Sequence, residues 1–185
     1  MFSTGKEEFV QLAFAHFREL RRVAFRVCQE RELADDLVQE TYLRAWRSFD
    51  RFKSGTNCRA WLFRIFFNVH SEYRRDQARK PLVFSLDRVK EPTSCSDIQT
   101  SSGLSVEEIR QAFADLAEPY RIALVLADIE GLRYREISDV LGIPIGTVMS
   151  RLNRGRQLLR ARLAPVSSQP DENRRLVKGT KRGKF

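Results

Sequence analysis

Apolar residues recur at three- and four-residue steps through the first part of the chain, which is the spacing of a helix that buries one face. The first stripe predicts a single helix from about Glu7 to Cys28. A second stripe, which includes Trp46, predicts a helix from about Glu32 to Phe49. A third predicts a helix from about Arg59 to Arg79, which Pro81 then stops. These patterns indicate a small helical unit.

The composition changes between Pro81 and about Gly103, where turn and linker residues replace the helical pattern. Helical signals return at Ser105–Glu108, an S-x-x-E capping box that marks a helix start. A further helix is predicted to begin at Glu118-Pro119 and to end near Gly131, a suitable residue just past a helix C-terminus. The chain therefore divides into two helical halves around a linker.

The end of the second half has the pattern of a helix-turn-helix. A short helix is predicted over Tyr134–Leu141, a turn over Gly142–Gly146, and a second helix over Thr147–Leu163 with Thr147 as its N-cap. Gly142 can adopt the positive φ that a sharp exit from the first helix requires. Five apolar residues are predicted to pack between the two helices: Ile137, Leu141, Ile143, Val148 and Leu152.

The sequence gives no convincing strand pattern, so the predicted fold class is all-α. We expect two small helical domains joined by a flexible linker, the second being a helix-turn-helix. The predicted boundaries are residues 1–80 for the first domain, 81–103 for the linker and 104–164 for the second domain. Residues 165–185 are polar and basic without periodicity, and they predict a disordered tail.

The chain has 33 Lys and Arg against 24 Asp and Glu, a net charge of +9, which makes nucleic acid the leading candidate for a partner. A basic protein without such a partner is the alternative that charge alone leaves open. Cys28, Cys58 and Cys95 are odd in number and form no C-x-x-C, so neither a disulfide framework nor a metal site is indicated. The isolated His16 and His70 are interpreted as structural. No apolar run suggests membrane insertion or a secretion signal, and we expect a reducing cytoplasm.

The second helix of the helix-turn-helix is strongly basic and contains no acidic residue between Thr147 and Leu163. Such a helix suits the major groove of DNA, where arginine reaches guanine edges or phosphates. The alternative is a solvated helix in a small bundle, but such a surface usually mixes charges of both signs. The residues on its exposed side are Met149, Ser150, Arg151, Asn153, Arg154, Arg156 and Arg160.

The third helix interleaves aromatic residues with arginine and asparagine. Aromatic rings can stack on unpaired bases while basic groups hold the backbone. A small domain also needs a core, so we expect at most one or two of Trp61, Phe63, Phe66 and Phe67 to be available to DNA. The polar residues and the loop that precedes this helix are better candidates.

The second helix carries an acidic stretch that includes Asp35, Asp36 and Glu40. Close carboxylates can indicate acid–base catalysis or a metal site. Adjacent carboxylates on one helix diverge, however, and no histidine converges with them. A protein contact or a solvated face is the better interpretation.

Three stretches, in this order, resemble the sigma-70 superfamily: Ala34–Trp46, Asn57–Asn68 and Gly131–Arg156. The sequence is most similar to the compact extracytoplasmic-function group, which keeps only the second and fourth sigma domains. The resemblance covers roughly Glu7 to Leu163. It implies a factor, without enzymatic activity or cofactor, that binds core RNA polymerase and directs initiation at promoters by recognising −10 and −35 elements.

The resemblance also implies roles for particular residues. Polymerase would be bound by Asp35, Asp36, Gln39, Glu40 and Arg44. The −10 element would be bound by Lys53, Asn57, Trp61, Arg64, Asn68 and Arg74. The −35 element would be bound by Thr147, Met149, Ser150, Arg151, Asn153, Arg154 and Arg156.

The implied partners are promoter DNA, the clamp helices of the largest polymerase subunit, the polymerase flap region and an anti-sigma factor, all in a bacterial cytoplasm. Met149 and Asn153 depart from residues common in the family, so the −35 preference cannot be carried over. Phe66-Phe67 is also bulkier than the small residues often found there.

The linker can span the two promoter elements only when it is stretched. About 23 residues reach roughly 75 Å fully extended, whereas a flexible coil of that length averages about 25–30 Å. Elements about one and a half helical turns apart need on the order of 50 Å. We therefore expect polymerase to hold the linker extended and the free protein to bind promoter DNA poorly.

Two rival functions are also compatible with the sequence. The first is a helix-turn-helix regulator with a ligand-sensing pocket in residues 1–80, which would bind duplex DNA tightly without polymerase. The second is an enzyme that acts on nucleic acid, which would need converging catalytic groups.

Overall fold

The computed structural model describes residues 3–53, 55–79 and 105–164, and within them the chain folds into α-helices joined by short turns. The predicted linker and basic tail lie outside these described residues. The first region consists of α1 (Ser3–Ala13), α2 (Phe17–Cys28), α3 (Arg31–Ser48) and α4 (Cys58–Arg79). The second region consists of α5 (Val106–Ala114), α6 (Glu118–Leu124), α7 (Tyr134–Leu141) and α8 (Ile145–Leu163). The predicted all-α class is confirmed.

The prediction of one continuous helix from Glu7 to Cys28 is wrong. A 3₁₀ turn at Phe14–His16 separates α1 from α2. The carbonyl of Ala13 at the end of α1 accepts a hydrogen bond from the Tyr42 hydroxyl at 3.0 Å. The apolar stripe runs through the turn without interruption, which is why periodicity alone does not reveal the break.

The core of the first region lies where α2, α3 and α4 meet. Its fully buried side chains include Leu20, Val23, Leu62, Phe63 and Phe66. Phe67 is 4% exposed, so the expectation that most of the aromatic residues of α4 serve the core is confirmed. Burying a side chain as large as phenylalanine contributes about 1.5–3 kcal/mol, and several of them stabilise this small unit.

Aromatic packing at the rim of α3 differs from the sequence prediction. Trp46 belongs to the predicted apolar stripe but is 47% exposed. Its ring contacts the edge of buried Phe9, with centroids 5.1 Å apart, and leaves its other side open. Position at the edge of the stripe, rather than its centre, explains the exposure.

The second region begins at the capping box predicted for Ser105 and Glu108, which is confirmed. The Ser105 side chain accepts a hydrogen bond from the Glu108 amide at 3.1 Å, and the Glu108 side chain accepts one from the Ser105 amide at 2.7 Å. After α6 the chain continues as a π-helical turn over Val125–Ile129 and leaves it at Gly131. The helix α8 packs closely on α6, since a Cβ at Gly155 would lie 3.2 Å from the Leu124 side chain.

The helix-turn-helix is present with one correction at the start of its second helix. Gly142 has a φ of +62°, as predicted. However, α8 begins at Ile145 with Pro144 as its N-cap, and Thr147 lies inside the first turn. The Pro144 carbonyl accepts the Thr147 amide at 2.9 Å. The extended ψ of 143° at Pro144 suits a cap, and this geometry starts the helix two residues early.

The two regions pack against each other in this conformation. Helix α4 lies against α7, and α2 lies against α6 and the π-helical turn. Arg121 crosses between the regions: its Nη2 donates to the Val27 carbonyl of α2 at 3.1 Å, while its Nη1 donates to Leu116 at 2.8 Å. The buried apolar residues of both regions form one continuous cluster.

Candidate functional site

The turn between α7 and α8 is held by apolar packing and by a hydrogen bond. Ile137 and Val148 are fully buried between the two helices, and Leu152 is 1% exposed. Leu141 and Ile143 are partly buried against the same cluster. The Ser138 hydroxyl donates to the Ile143 carbonyl at 2.6 Å, which fixes the turn. The predicted packing of five apolar residues is therefore confirmed.

The outer face of α8 carries most of the residues predicted for −35 binding. Met149, Ser150, Asn153 and Arg154 are exposed, while Thr147 and Arg151 are half-buried. The Ser150 hydroxyl donates to the Thr147 carbonyl at 3.0 Å. Sequence reasoning missed Ile145, which is 48% exposed four residues before Met149. Four-residue spacing puts both apolar side chains on one face, and that spacing was visible in the sequence.

Arg156 has a different setting from the other basic residues of α8. Its Nη2 lies 2.5 Å and its Nε 3.1 Å from the Asp128 carboxylate, and its Nη1 lies 3.4 Å from the Tyr134 hydroxyl. Hydrogen bonds to Asp128 and then Tyr134 raise the pKa of this arginine. In this conformation Arg156 ties α8 to the π-helical turn and α7.

Four of the residues predicted for −10 binding lie in one line along α4 and the residue that precedes it. Asn57, Trp61, Arg64 and Asn68 follow one another at three- and four-residue steps, which aligns them along one face. Arg64 and Asn68 are exposed, and Trp61 is half-buried with its ring centroid 4.9 Å from that of Phe52.

Two further members of the −10 set are set apart from that face. Lys53 is exposed in the loop before α4, where its carbonyl accepts the Thr56 amide at 3.1 Å. Arg74 follows Asn68 by six residues, which places it away from that line. Its Nε contacts Glu118 of α6 at 3.1 Å.

The residues predicted for polymerase binding lie on α3 and are partly engaged within the chain. Arg21 Nε lies 2.5 Å from Asp35, and this hydrogen bond lowers the pKa of the Asp35 carboxyl. Arg44 bridges Glu40 at 2.7 Å and Glu72 at 2.6 Å, and hydrogen bonds to these two carboxylates raise its pKa. The side chains that stay exposed are Asp36 and Gln39.

Sequence reasoning also missed a charged cluster between the regions. The Glu130 side chain, at the end of the π-helical turn, is 1% exposed and contacts Arg22, Arg26 and Arg59 of the first region. Arg22 and Glu130 are 108 positions apart, and Arg59 and Glu130 are 71 apart. No local spacing rule connects residues at such separations, so this cluster requires the folded structure.

Within the described parts of the chain, no group of three or more His, Cys, Asp or Glu residues is placed to hold a metal ion. In the same parts, no helix is long and apolar enough to cross a membrane.

Comparison with protein families gives two matches in the order of the two regions. Residues 12–80 match the family model described as Sigma-70 region 2, and residues 106–159 match the model described as Sigma-70, region 4.

Curated relatives agree with these matches. The chain is 38% identical over 163 residues to the ECF RNA polymerase sigma factor SigE of Mycolicibacterium smegmatis, covering 86% of this chain and 63% of that protein's length. It is 37% identical over 164 residues to EcfG of Rhodopseudomonas palustris, covering 86% of this chain and 89% of the relative.

Two solved complexes contain chains with similar folds. One is RpoE of Bartonella quintana in complex with the anti-sigma factor NepR, with 28% identity, a TM-score of 0.66, and coverage of 85% of this chain and 95% of that one. Another is CnrH in complex with the cytosolic domain of CnrY, with 26% identity, a TM-score of 0.58, and coverage of 84% and 87%.

Proposed function

This chain belongs to the sigma-70 family, in its extracytoplasmic-function (ECF) group, and we propose that it directs core RNA polymerase to promoters through two separate DNA-binding surfaces. The observation that carries this proposal is the combination of two family matches in the right order with an arginine-bearing, exposed second helix in a helix-turn-helix.

In this proposal, the chain divides at the predicted boundaries, and residues 1–80 bind both polymerase and the −10 element. The exposed Asp36 and Gln39 of α3 face the clamp helices of the largest subunit. Asp35, Glu40 and Arg44 contribute by exchanging their internal ion pairs for contacts with polymerase. Such exposed pairs are worth about 0–1 kcal/mol each, so the exchange costs little.

The −10 element is bound along α4 and the loop before it. Arg64 and Asn68 hold the strand, while Trp61 lies beside a base that has left the stack. Asn57 and Lys53 contact the same strand from the preceding loop. Arg74 joins them once its contact with Glu118 is broken.

The −35 element is bound as duplex by α8 in the major groove. Arg151 and Arg154 reach base edges or phosphates, and Ser150 and Asn153 add hydrogen bonds from the same exposed surface. The exposed Met149 supplies an apolar contact, and Thr147 lies where the free amides of the first turn can meet a phosphate. Arg156 either contacts the DNA backbone or stabilises the position of α8 through its bond to Asp128.

The partners follow from the same proposal. Core polymerase supplies all of the chemistry, and this chain has no catalytic step of its own. It acts in the bacterial cytoplasm, because polymerase and promoters are there. One solved relative is bound to an anti-sigma factor and the other to the cytosolic domain of CnrY. We propose that an anti-sigma factor binds this chain as well.

Run-off transcription tests the function directly. Core polymerase is incubated with fragments of genomic DNA, with and without the purified chain, and we expect new transcripts with defined 5′ ends only when the chain is present. Arg151→Ala with Arg154→Ala should remove transcripts that depend on the −35 element. Arg162→Ala, at the far end of α8, is the matched control. Tight binding of the free chain to duplex DNA without any polymerase-dependent transcript would favour the helix-turn-helix regulator instead.

A further inference from the structure

Three arginines of the first region converge on one carboxylate of the second. Arg22 donates to Glu130 through Nε at 3.3 Å and Nη2 at 3.2 Å. Arg59 Nη2 donates to the Glu130 carboxylate at 3.0 Å and to its backbone carbonyl at 2.8 Å. Arg26 Nη1 lies 3.6 Å from the same carboxylate.

The carboxylate leaves part of this arginine cluster unsatisfied. Arg26 Nη1 is buried and has no hydrogen-bond partner, although it faces Glu130. Burial and the neighbouring Arg22 charge lower the pKa of Arg26. Glu19 is the other carboxylate in contact, at 3.2 Å from Arg59 Nε. Three guanidinium groups thus surround an anion that has too few oxygen atoms to use all their donors.

The cluster adjoins the residues proposed for −10 binding. Arg59 lies between Asn57 and Trp61 at the start of α4. Glutamates of the second region also contact two members of the −10 set: Glu136 Oε1 accepts from Asn57 Nδ2 at 3.4 Å, and Glu118 pairs with Arg74 at 3.1 Å. Carboxylates therefore occupy donor groups that a DNA backbone would use.

We propose that Arg22, Arg26 and Arg59 form a binding site for a phosphate of the promoter strand, and that Glu130 occupies this site in the free protein as an intramolecular substitute for the phosphate. A backbone phosphodiester has two anionic oxygens, as a carboxylate does, but adds two weaker ester oxygens and arranges all four tetrahedrally, so the planar forks of several arginines can share it. This inference rests on the proposed function, since it assigns the site to promoter DNA.

The arrangement also makes DNA binding conditional. While Glu130 fills the cluster, the −10 surface is partly covered by the second region and the two regions stay together. Asp36 and Gln39 on α3 are exposed in this conformation, so polymerase can engage the closed protein. Separation of the regions on polymerase then frees the arginines for DNA.

A native thiol reports the separation without DNA or polymerase. Cys28 is half-buried at the end of α2, and burial, followed by the negative charge of Glu118 on α6, raises its pKa to about 12. Cys58 is 8% exposed in the first region and serves as the internal control for unfolding. Alkylation of each cysteine is followed by mass spectrometry of its peptide.

Glu130→Gln should speed alkylation of Cys28 by roughly tenfold, because the contact between the two regions loses hydrogen bonds between charged groups. The rate at Cys58 should not change. Glu107→Gln removes a glutamate that pairs with Arg110 inside α5 and is the matched control. Arg22→Gln weakens the same contact between the regions from an exposed position and should also speed the reaction at Cys28. It replaces Glu130→Gln in the assay if that variant fails to fold.

Fluorescence anisotropy with labelled oligothymidine then tests the ligand. Glu130→Gln should bind about tenfold more tightly than the native chain, because the cluster is vacated. Arg26→Gln should change affinity by less than about twofold in the native chain but should cancel the gain in the Glu130→Gln background, which is the coupling expected for one shared site. Arg31→Gln, an exposed arginine elsewhere, should not cancel it.

Each contrary result overturns the proposal. An unchanged alkylation rate at Cys28 in both Glu130→Gln and Arg22→Gln shows that this cluster does not hold the two regions together. Faster alkylation of Cys28 without a gain in oligothymidine affinity shows that the arginines do not bind nucleic-acid phosphate. These assays contain no polymerase, so they can succeed while run-off transcription fails, and the proposed function would then fail alone.

Discussion

Met149 and Ile145 form an apolar pair on the face of α8 that is proposed to enter the major groove. They are 53% and 48% exposed and lie four residues apart, at the first turns of the helix. The apolar group that the major groove offers is the C5-methyl of thymine. We therefore predict that this pair recognises at least one thymine of the −35 element by contact with its methyl group.

The expected size of this contact follows from the hydrophobic effect. Burying one methyl contributes about 0.8 kcal/mol, which corresponds to roughly a fourfold change in affinity. Replacing thymine by deoxyuridine removes only that methyl and keeps every hydrogen-bonding group of the base. The methyl-dependent fraction of affinity can thus be measured separately from the arginine contacts.

The assay is competition binding of the polymerase complex to promoter duplexes in which each −35 thymine is replaced in turn. Wild-type chain should lose about fourfold in affinity at one or two positions. Met149→Ala should abolish the difference between thymine and deoxyuridine there. Arg154→Ala should weaken binding to both duplexes and keep the difference. The prediction of a methyl contact is refuted if replacing thymine by deoxyuridine lowers the affinity at no position. It is also refuted if the loss of affinity persists in Met149→Ala with Ile145→Ala.

Three other outcomes follow from named contacts. Asp36→Arg with Gln39→Arg should abolish co-elution with core polymerase while leaving the melting temperature within a few degrees, because both side chains are exposed. Phe63→Ala should lower the free energy of unfolding by about 3–5 kcal/mol in denaturant titration, because the ring is fully buried. Burial lowers the pKa of His70, which faces Glu118, Arg74 and Arg121, so the folded state disfavours its protonation. Stability should therefore fall as pH drops below the ordinary histidine value of 6.5, and His70→Gln should flatten that fall in thermal melts.

Much of the fold could be predicted because its signals are local. The helices α3 and α4 begin within one residue of the predicted positions, and the Ser105 capping box is formed as the spacing required. The break between α1 and α2 could not be predicted, because the apolar stripe crosses Phe14–His16 unchanged. The early start of α8 was missed because Thr147 is a good N-cap by composition, whereas Pro144 occupies that position.

The candidate site divides along the same line. Exposed residues of α8 such as Arg154 could be predicted, because a helix with basic and no acidic residues is typical of DNA binding. The partners of Arg74 and Arg156 could not, because Glu118 and Asp128 reach them through tertiary packing. No pattern in the sequence indicated a role for Glu130, because its arginine partners are far away in the chain.

The central claim is that this chain, bound to core polymerase, opens promoter DNA at the −10 element while α8 holds the −35 duplex. Permanganate reactivity of unpaired thymines on a responsive promoter tests it most directly. We predict reactive thymines around the −10 element only when chain and core polymerase are both present, and loss of that reactivity in Arg64→Ala with Asn68→Ala. Duplex DNA that stays unreactive in the complete complex, or that opens equally with core polymerase alone, would contradict the account.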